Sequence, residues 1–263
     1  MKGCGKRAEN ARKMNVGDVK VGVVGDSSRP QISCGQCGVQ ALCLSDVPGE
    51  EGVVPLARIM RRKEVYQRGQ VLFRPGEPLN GLYVICGGSA KTTVGTEDGR
   101  VQVIGFHVPG DLLGLSAMAA GTYASEACAL ETMSVCKLDV QQLERLADEF
   151  PVLRQQLLKI MSQQLRQQEE QMLLLGKRSA EERVAEFLVG LARRLFVRQG
   201  TLDQVRLSMS RLDIGNYLGL SEETVSRIFS RFQKEGLVSV DRRDITLNDL
   251  SMLGALARLD RAA

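Results

Sequence analysis

The sequence lacks residues and patterns on which whole classes of protein depend. It contains no tryptophan, and His107 is its single histidine. Zinc-hydrolase sites and Ser-His-Asp triads depend on histidine, so one histidine disfavours both. No uncharged apolar run approaches the about 18 residues that cross a bilayer, and no signal-peptide core follows the first residues. No nucleophile–base pair, phosphate loop or nicotinamide fingerprint occurs either. We therefore expect a cytoplasmic protein that is not an enzyme.

A disulfide framework is also disfavoured. The seven cysteines are an odd number in a chain without an export signal, which favours metal binding or reduced thiols. The 263 residues, 43% of them hydrophobic, suffice for one large domain or two ordinary ones. The net charge of +4 is uneven: residues 1–33 carry +4, residues 34–175 carry −3 and residues 176–263 carry +3. The basic C-terminal third favours a nucleic-acid partner.

The first half of the chain changes character near its start. Residues 1–33 are polar and aperiodic, which predicts a flexible tail. From Arg68 to Gly121, glycines separate short apolar runs such as residues 82–85 and 101–106. Short runs at this spacing predict an all-β sandwich or barrel, with residues 96–99 as the tip of a hairpin.

After Asp139 the apolar period becomes helical. From residue 158, residues spaced alternately three and four positions apart would form one narrow seam along a helix. Only one of them, Gln168, is polar: Leu158, Met161, Leu165, Gln168, Met172 and Leu175. A narrow a/d seam favours a two-helix dimer interface, the alternative being a long amphipathic helix packed on its own domain. Polar Gln168 and the adjacent Glu169 and Glu170 weaken such pairing and make association conditional.

The C-terminal third carries helix start and stop patterns. Ser179 and Glu182 form a capping-box pattern before a helix with one apolar stripe: Val184, Phe187, Leu188, Leu191 and Leu195. Ser210 and Ser221 predict the starts of two short helices, with Gly219 in the turn between them. Their apolar residues are expected to meet in one small core: Ile214, Leu218, Leu220, Val225, Ile228 and Phe232.

A winged helix-turn-helix follows from this order of elements. Residues 237–240 and 245–247 predict two strands around the turn 241–244, which carries Arg242 and Arg243. The second short helix presents Glu223, Ser226 and Arg227 on one side. Arginine can contact guanine O6 and N7, and glutamate can accept from cytosine N4. We therefore predict DNA recognition, the alternative being an ordinary solvated helix face.

Three cysteines lie within ten residues, as Cys34-x-x-Cys37-x5-Cys43. Tetrahedral zinc or a four-cysteine iron–sulfur cluster needs a fourth ligand. The candidates for the fourth ligand are the remaining cysteines, Cys4, Cys86, Cys128 and Cys136. Spacing alone does not favour any one of them. Zinc usually shows paired Cys-x-x-Cys knuckles or histidines, so an iron–sulfur cluster is favoured over zinc or a thiol redox switch.

From Ile32 to its C-terminus the chain resembles transcription regulators of the CRP/FNR superfamily, specifically the oxygen-sensing FNR branch. The motifs that carry the resemblance are the three-cysteine cluster, Gly105–Asp111, Ala180–Arg183, Asp213–Leu220 and Glu223–Arg227. The resemblance implies an α+β fold with an N-terminal β-roll (a jelly roll of the cyclic-nucleotide-binding type), a long dimerisation helix and a winged helix-turn-helix. It implies a [4Fe–4S] cluster with Cys136 as fourth ligand, and base contacts from Glu223, Ser226 and Arg227 to TTGAT-like half-sites.

The sequence also departs from the pattern of the family that it resembles. Gln168 stands near a position where FNR-like regulators can carry aspartate, whose charge helps to keep the cluster-free protein monomeric, so we expect the oxygen threshold and the apo dimer affinity to differ here. Glu222 adds a negative charge beside Glu223. The cyclic-nucleotide branch follows a Gly-Asp-x-x-Gly-Glu run with an arginine on the next loop, whereas residues 116–136 contain no Lys or Arg. A buried phosphate would lack its counter-charge there, so no cyclic nucleotide is expected.

These observations predict five segments: a tail over 1–33, a cluster-binding segment over 34–50, a β-roll over 51–145, a dimerisation helix over 146–178 and a winged helix-turn-helix over 179–263. The predicted function is an oxygen-responsive transcription regulator whose cluster promotes homodimerisation and binding to palindromic double-stranded DNA. By resemblance, residues 96–100 contact RNA polymerase, the alternative being an ordinary solvated turn. The competing functions are a cluster-free regulator that senses haem, nitric oxide or a small molecule, and a zinc or thiol-switch regulator.

Overall fold

The computed structural model describes residues 60–199 and 202–257. Its first half is a roll of eight strands: β1 (Met60–Tyr66), β2 (Val71–Phe73), β3 (Leu82–Gly87), β4 (Ala90–Gly95), β5 (Val101–His107), β6 (Leu112–Leu113), β7 (Glu126–Ala129) and β8 (Met133–Leu138). They form two four-stranded sheets. Sheet A has the order β1-β8-β3-β6 and sheet B the order β2-β7-β4-β5. The predicted hairpin tip at residues 96–99 joins β4 to β5.

The two sheets enclose an apolar core. Phe73 stacks on Tyr123 with ring centroids 4.1 Å apart, and the Tyr123 hydroxyl donates to the Gly81 carbonyl at 2.6 Å. Val135 and Ile85, which pair across β8 and β3, are fully buried in this core. Because side chains alternate along a strand, the residues between them point to the outer face of sheet A.

Two helices cover that outer face. Helix α1 (Val140–Glu149) begins at Asp139, whose side chain accepts from the Gln142 N–H, and helix α2 (Pro151–Lys177) follows after Phe150. Proline suits the first turn of a helix because its missing N–H needs no partner there. The dimerisation helix predicted over residues 146–178 therefore corresponds to α2, with a break at Phe150 inside the predicted range.

The C-terminal part contains α3 (Ala180–Gln199), β9 (Gln204–Arg206), α4 (Arg211–Leu218), α5 (Glu222–Lys234), β10 (Val238–Asp241), β11 (Asp244–Leu247) and α6 (Leu250–Leu256). The predicted capping box at Ser179 is confirmed: Glu182 N–H donates to the Ser179 hydroxyl and the Glu182 carboxylate accepts from Ser179 N–H. The predicted small core of α4 and α5 is also confirmed, and it merges with the apolar stripe of α3. Strand β9 joins the predicted wing as a third strand, which the sequence analysis did not anticipate.

The predicted β-roll, long helix and winged helix-turn-helix are thus confirmed as an α+β fold. The predicted tail and cluster-binding segment, residues 1–50, lie outside the described residues. Within the described ranges, no helix combines the length and apolar character needed to span a bilayer.

Candidate DNA interface, helix seam and thiol site

The helix-turn-helix depends on close backbone packing at its turn. Gly219 ends α4 in the left-handed region at φ 65°, which favours glycine. The Leu220 N–H donates to the Gly215 carbonyl at 2.8 Å, and a Cβ at Gly215 would lie 2.6 Å from the Leu220 oxygen. Ser221 then caps α5 by accepting from the Thr224 N–H at 3.1 Å. The angle between the two helices is therefore set by two glycines and one serine.

Helix α5 has one buried and one exposed side. Its buried residues, Val225, Ile228, Phe229 and Phe232, face the core. The opposite side presents the predicted base-contacting residues Glu223, Ser226 and Arg227, all of them exposed. These three side chains lie within the first two turns of the helix, the part of a recognition helix that contacts base edges in the major groove.

Arg231 is on the same helix but has other partners. Its guanidinium bonds both carboxylate oxygens of Glu181 on α3 and the Glu235 carboxylate at 3.0 Å. The Glu235 and Glu181 carboxylates raise the pKa of the Arg231 guanidinium above its ordinary value. Arg231 therefore connects α5 to α3.

The wing ends in a basic tip. Strands β10 and β11 pair as a hairpin around Arg242 and Arg243, and both arginines are exposed. Arg242 has φ 55°, a left-handed conformation that is uncommon for a residue other than glycine. Exposed arginines beside a recognition helix are suited to contact phosphates.

Helix α2 has an exposed apolar seam along most of its length. All six predicted seam residues are exposed, and Leu165 and Met172 have 63% and 72% of their surface in contact with solvent. Only Leu153 and Leu174, near the two ends of α2, are buried. A contiguous exposed apolar stripe on a long helix is typical of a helix–helix interface.

The two ends of α2 touch different parts of the protein. Leu153 packs with Val84 and Leu112 on the outer face of sheet A, and the Gln164 side chain donates to the Leu112 carbonyl at 3.0 Å. At the other end Leu174 is buried with the helix-turn-helix core, and Gln171 donates to the Tyr217 carbonyl at 3.1 Å. Helix α2 therefore connects sheet A to the helix-turn-helix.

Cys136 lies on the face of sheet A that α2 covers. It is half-buried on β8 and pairs with Val84 on β3. Paired residues on neighbouring strands place their side chains on the same face, so Cys136 adjoins the apolar cluster that holds α2. Cys34, Cys37 and Cys43 lie outside the described residues. Within residues 60–199 and 202–257, no group of three or more His, Cys, Asp or Glu side chains could hold a metal ion.

The other two described cysteines differ from each other. Cys128 is half-buried on β7 in sheet B, where burial raises its pKa. Cys86 is buried on β3, and its sulfur lies 3.1 Å from the Cys136 sulfur. The resemblance selects Cys136 as fourth ligand and gives Cys86 no role, and spacing along the chain does not indicate this contact. A register shift between Ile85 and Gly87 places Cys86 beside Cys136.

The helix-turn-helix also contacts the edge of sheet B. Val103 N–H donates to the Asn216 carboxamide oxygen, and the Asn216 amide donates to the Val101 carbonyl at 2.8 Å. The Lys91 ammonium pairs with Asp213 at 2.5 Å. Each contact joins residues more than 110 positions apart, so no local sequence pattern predicts them.

A second group of contacts stands beside this edge. Arg194 on α3 donates to the Phe106 carbonyl at 2.9 Å and pairs with Asp111. His107 lies next to them, with Nε2 2.9 Å from the Thr92 hydroxyl. Burial lowers the pKa of His107 to about 4. The ring is therefore neutral near pH 7, and its Nε2 shares a hydrogen bond with the Thr92 hydroxyl.

Comparison with known families agrees with this arrangement. A family described as "Crp-like helix-turn-helix domain" matches residues 182–256, and one described as "Cyclic nucleotide-binding domain" matches residues 63–150. The solved structure of FixK2 from Bradyrhizobium japonicum covers 77% of this chain and 98% of its own, with a TM-score of 0.69 and 33% identity.

Two curated relatives cover most of the sequence. The transcriptional activator protein Anr of Pseudomonas aeruginosa is 42% identical over 228 residues, which are 87% of this chain and 93% of that protein. The fumarate and nitrate reduction regulatory protein of Salmonella typhi is 42% identical over 226 residues, 86% of this chain and 90% of that protein. These relatives are transcription regulators and not enzymes. The chain therefore belongs to the CRP/FNR family of transcription regulators, and within it to the FNR type.

Proposed function

We propose that this protein is an oxygen-responsive regulator that binds palindromic DNA as a homodimer under anaerobic conditions. Two findings support a transcription regulator of anaerobic metabolism: the exposed side of helix α5 and the names of relatives such as the fumarate and nitrate reduction regulatory protein. The oxygen response, the cluster and the half-site sequence go beyond these findings. Because its target is DNA, we expect the protein to act in the cytoplasm.

The proposed cofactor is a [4Fe–4S] cluster held by Cys34, Cys37, Cys43 and Cys136. The donor set fits, because such clusters are held by four cysteine thiolates. Cys136 offers a half-buried thiol at the outer face of sheet A. When bound, the cluster would supply an oxygen-labile link between residues 34–43 and β8.

The observation that carries the proposal is the position of Cys136 relative to α2. Cys136 pairs with Val84, and Val84 packs in the same apolar cluster as Leu153 in the first turn of α2. A change in what Cys136 binds therefore acts on residues that position the start of the seam helix. Coupling of this kind links ligand binding to association.

The proposed dimer forms through the exposed seam of α2: Leu158, Met161, Leu165, Gln168, Met172 and Leu175. Two-fold pairing would place two α5 helices about 34 Å apart, one turn of DNA. In each half-site similar to TTGAT, Arg227 contacts guanine, Glu223 accepts from cytosine and Ser226 makes a further base contact. The exposed tip at residues 96–100 is the proposed contact for RNA polymerase.

No cyclic nucleotide is expected in the roll. The core between the sheets is filled by stacked Phe73 and Tyr123, and residues 116–136 contain no Lys or Arg to neutralise a phosphate. The remaining alternatives are a cluster-free sensor of haem, nitric oxide or a small molecule, and a zinc or thiol switch.

Anaerobic purification of the full chain tests the cofactor. We expect a brown protein with about four iron and four sulfide per chain. Cys136→Ser should lose both, whereas Cys128→Ser, on the other sheet, should retain both. A colourless zinc protein, or operator binding that survives in Cys34→Ser and Cys136→Ser, would overturn the proposed cofactor.

The proposed base contacts are tested by Arg227→Ala. We expect the binding free energy to fall by about 1–3 kcal/mol and the preference for guanine at one half-site position to disappear. Lys234→Ala is the matched control on the same helix: it should weaken binding to all sequences alike and reduce the salt dependence. Electrophoretic or fluorescence titrations with matched and substituted operators at fixed salt measure both effects. An unchanged guanine preference in Arg227→Ala contradicts the assignment.

A further inference from the structure

Cys86 and Cys136 are neighbours on the outer face of sheet A. Their sulfur atoms are 3.1 Å apart, Cys86 is 4% exposed and Cys136 is half-buried. We propose that these two thiols form a redox-active pair, which is converted to a reversible disulfide when Cys136 is not the ligand of a cluster. The pair is thus a second oxidisable group, which shares Cys136 with the proposed cluster site.

The strand geometry favours closure. Cys136 pairs with Val84, and Cys86 lies two residues further along β3, where the ladder between β3 and β8 changes register. A bulge of this kind reorients a side chain relative to the neighbouring strand. The sulfurs need to approach by about 1 Å to reach the bond length of about 2.05 Å. The two strands already hold both residues on one sheet, so closure requires no rearrangement of the fold.

The difference in exposure assigns a role to each thiol. Hydrogen peroxide oxidises the more accessible Cys136 thiol to a sulfenic acid and is itself reduced, releasing one water. The Cys86 thiol then attacks that sulfur, forms the disulfide and releases a second water. The two thiols lose two electrons and two protons in total, and the peroxide takes up both. Redox-sensing cysteines are commonly accessible and next to a resolving cysteine.

The disulfide itself does not depend on a cluster, but its consequence rests on the proposed function. If Cys136 is a cluster ligand, a disulfide with Cys86 removes it from the ligand set until a dithiol reduces the bond. Oxidised protein would then be unable to bind a cluster again before reduction, whereas protein that has only lost its cluster would remain competent.

The test uses the full-length protein without bound metal. The protein is treated with hydrogen peroxide, its remaining thiols are alkylated, and the digested peptides are analysed by mass spectrometry. We expect a linked Cys86–Cys136 peptide pair that disappears after dithiothreitol. Cys86→Ser should instead leave a sulfenic acid on Cys136, trapped by dimedone. Cys128→Ser is the matched control and should form the same link as the wild-type protein.

The wild-type result decides the proposal without any variant. Linkage of Cys136 to Cys34, Cys37 or Cys43 in place of Cys86, or no linkage of Cys136, overturns it. Iron uptake by oxidised and by reduced protein distinguishes failure of the thiol pair from failure of the proposed function. If the link forms but the reduced protein takes up no cluster, the proposed function fails and the thiol pair stands. If the reduced protein takes up a cluster and the link never forms, only the thiol pair fails.

Discussion

The two sheets of the β-roll meet the rest of the protein in different ways. The outer face of sheet A is covered by α1 and α2 through apolar side chains, among them Val84, Leu143 and Leu153. The edge of sheet B also buries apolar side chains against the helix-turn-helix, such as Phe106 edge to face with Tyr217. It adds hydrogen bonds and an ion pair, chiefly from Asn216 and Asp213. Both contacts are therefore apolar, and the second carries more directional bonds than the first.

We relate this difference to two tasks, the response of α2 to the proposed sensor and the positioning of the DNA-binding unit. Apolar packing depends on buried area and tolerates small displacements of a helix, so α2 can respond to a change at Cys136. Hydrogen bonds depend on distance and angle, so the bonds of Asn216 fix α4 against β5. We therefore expect the side that faces the proposed sensor to be more adjustable than the side that holds the DNA-binding unit.

The apolar side should give the largest loss of stability. We expect Leu153→Ala to lower the free energy of unfolding by about 2–5 kcal/mol, because a fully buried side chain is replaced by a cavity. Leu158→Ala, on the exposed seam of the same helix, should change it by less than about 0.5 kcal/mol in the monomer. Urea unfolding of the metal-free protein measures both. Equal losses in the two variants would show that the face under α2 is not a core.

The contribution of the sheet B side to folding stability should depend on pH through His107. Its pKa of about 4 lies below the unfolded value of 6.5, so the unfolded chain binds the proton more readily between these values. Stability is therefore highest above pH 6.5 and falls as the pH drops from 6.5 to 4, by about 3 kcal/mol at most.

The variant His107→Gln isolates this contribution from that of other groups. Urea unfolding of wild type and variant between pH 7 and pH 4 should show a steeper decline for the wild-type protein. Parallel pH profiles would mean that His107 does not titrate differently on folding.

The smallest loss of stability is expected when the hydrogen bonds or the ion pair between sheet B and the helix-turn-helix are removed. Asn216→Ala leaves the N–H of buried Val103 without its acceptor, which costs about 1–2 kcal/mol. Hydrogen exchange at the Val103 amide should become faster. Lys91→Ala removes a partly exposed ion pair at the same interface, and its effect should be about 1 kcal/mol or less. Unchanged protection at Val103 in Asn216→Ala contradicts the role given to this side chain.

The sequence predicts the parts of this protein that local chemistry determines. Ser210 and Ser221 cap α4 and α5 as expected, because capping involves residues three positions apart. Asp213 completes the capping box of Ser210 at short range, yet it also pairs with Lys91, which lies 122 positions away. The contact of Cys86 with Cys136 depends on a change of strand register, and periodicity does not show such a change. Local elements were thus predictable, and the contacts that join sheets A and B to the helices were not.

The central claim is that the state of Cys136 controls pairing of α2, and sedimentation of the full-length protein tests it most directly. We expect a dimer that binds the operator under anaerobic conditions and a monomer with little operator affinity after air has removed the iron. Leu165→Glu should retain its iron anaerobically yet remain monomeric, because a charge enters the seam. A wild-type dimer that persists after the iron is lost would contradict the claim.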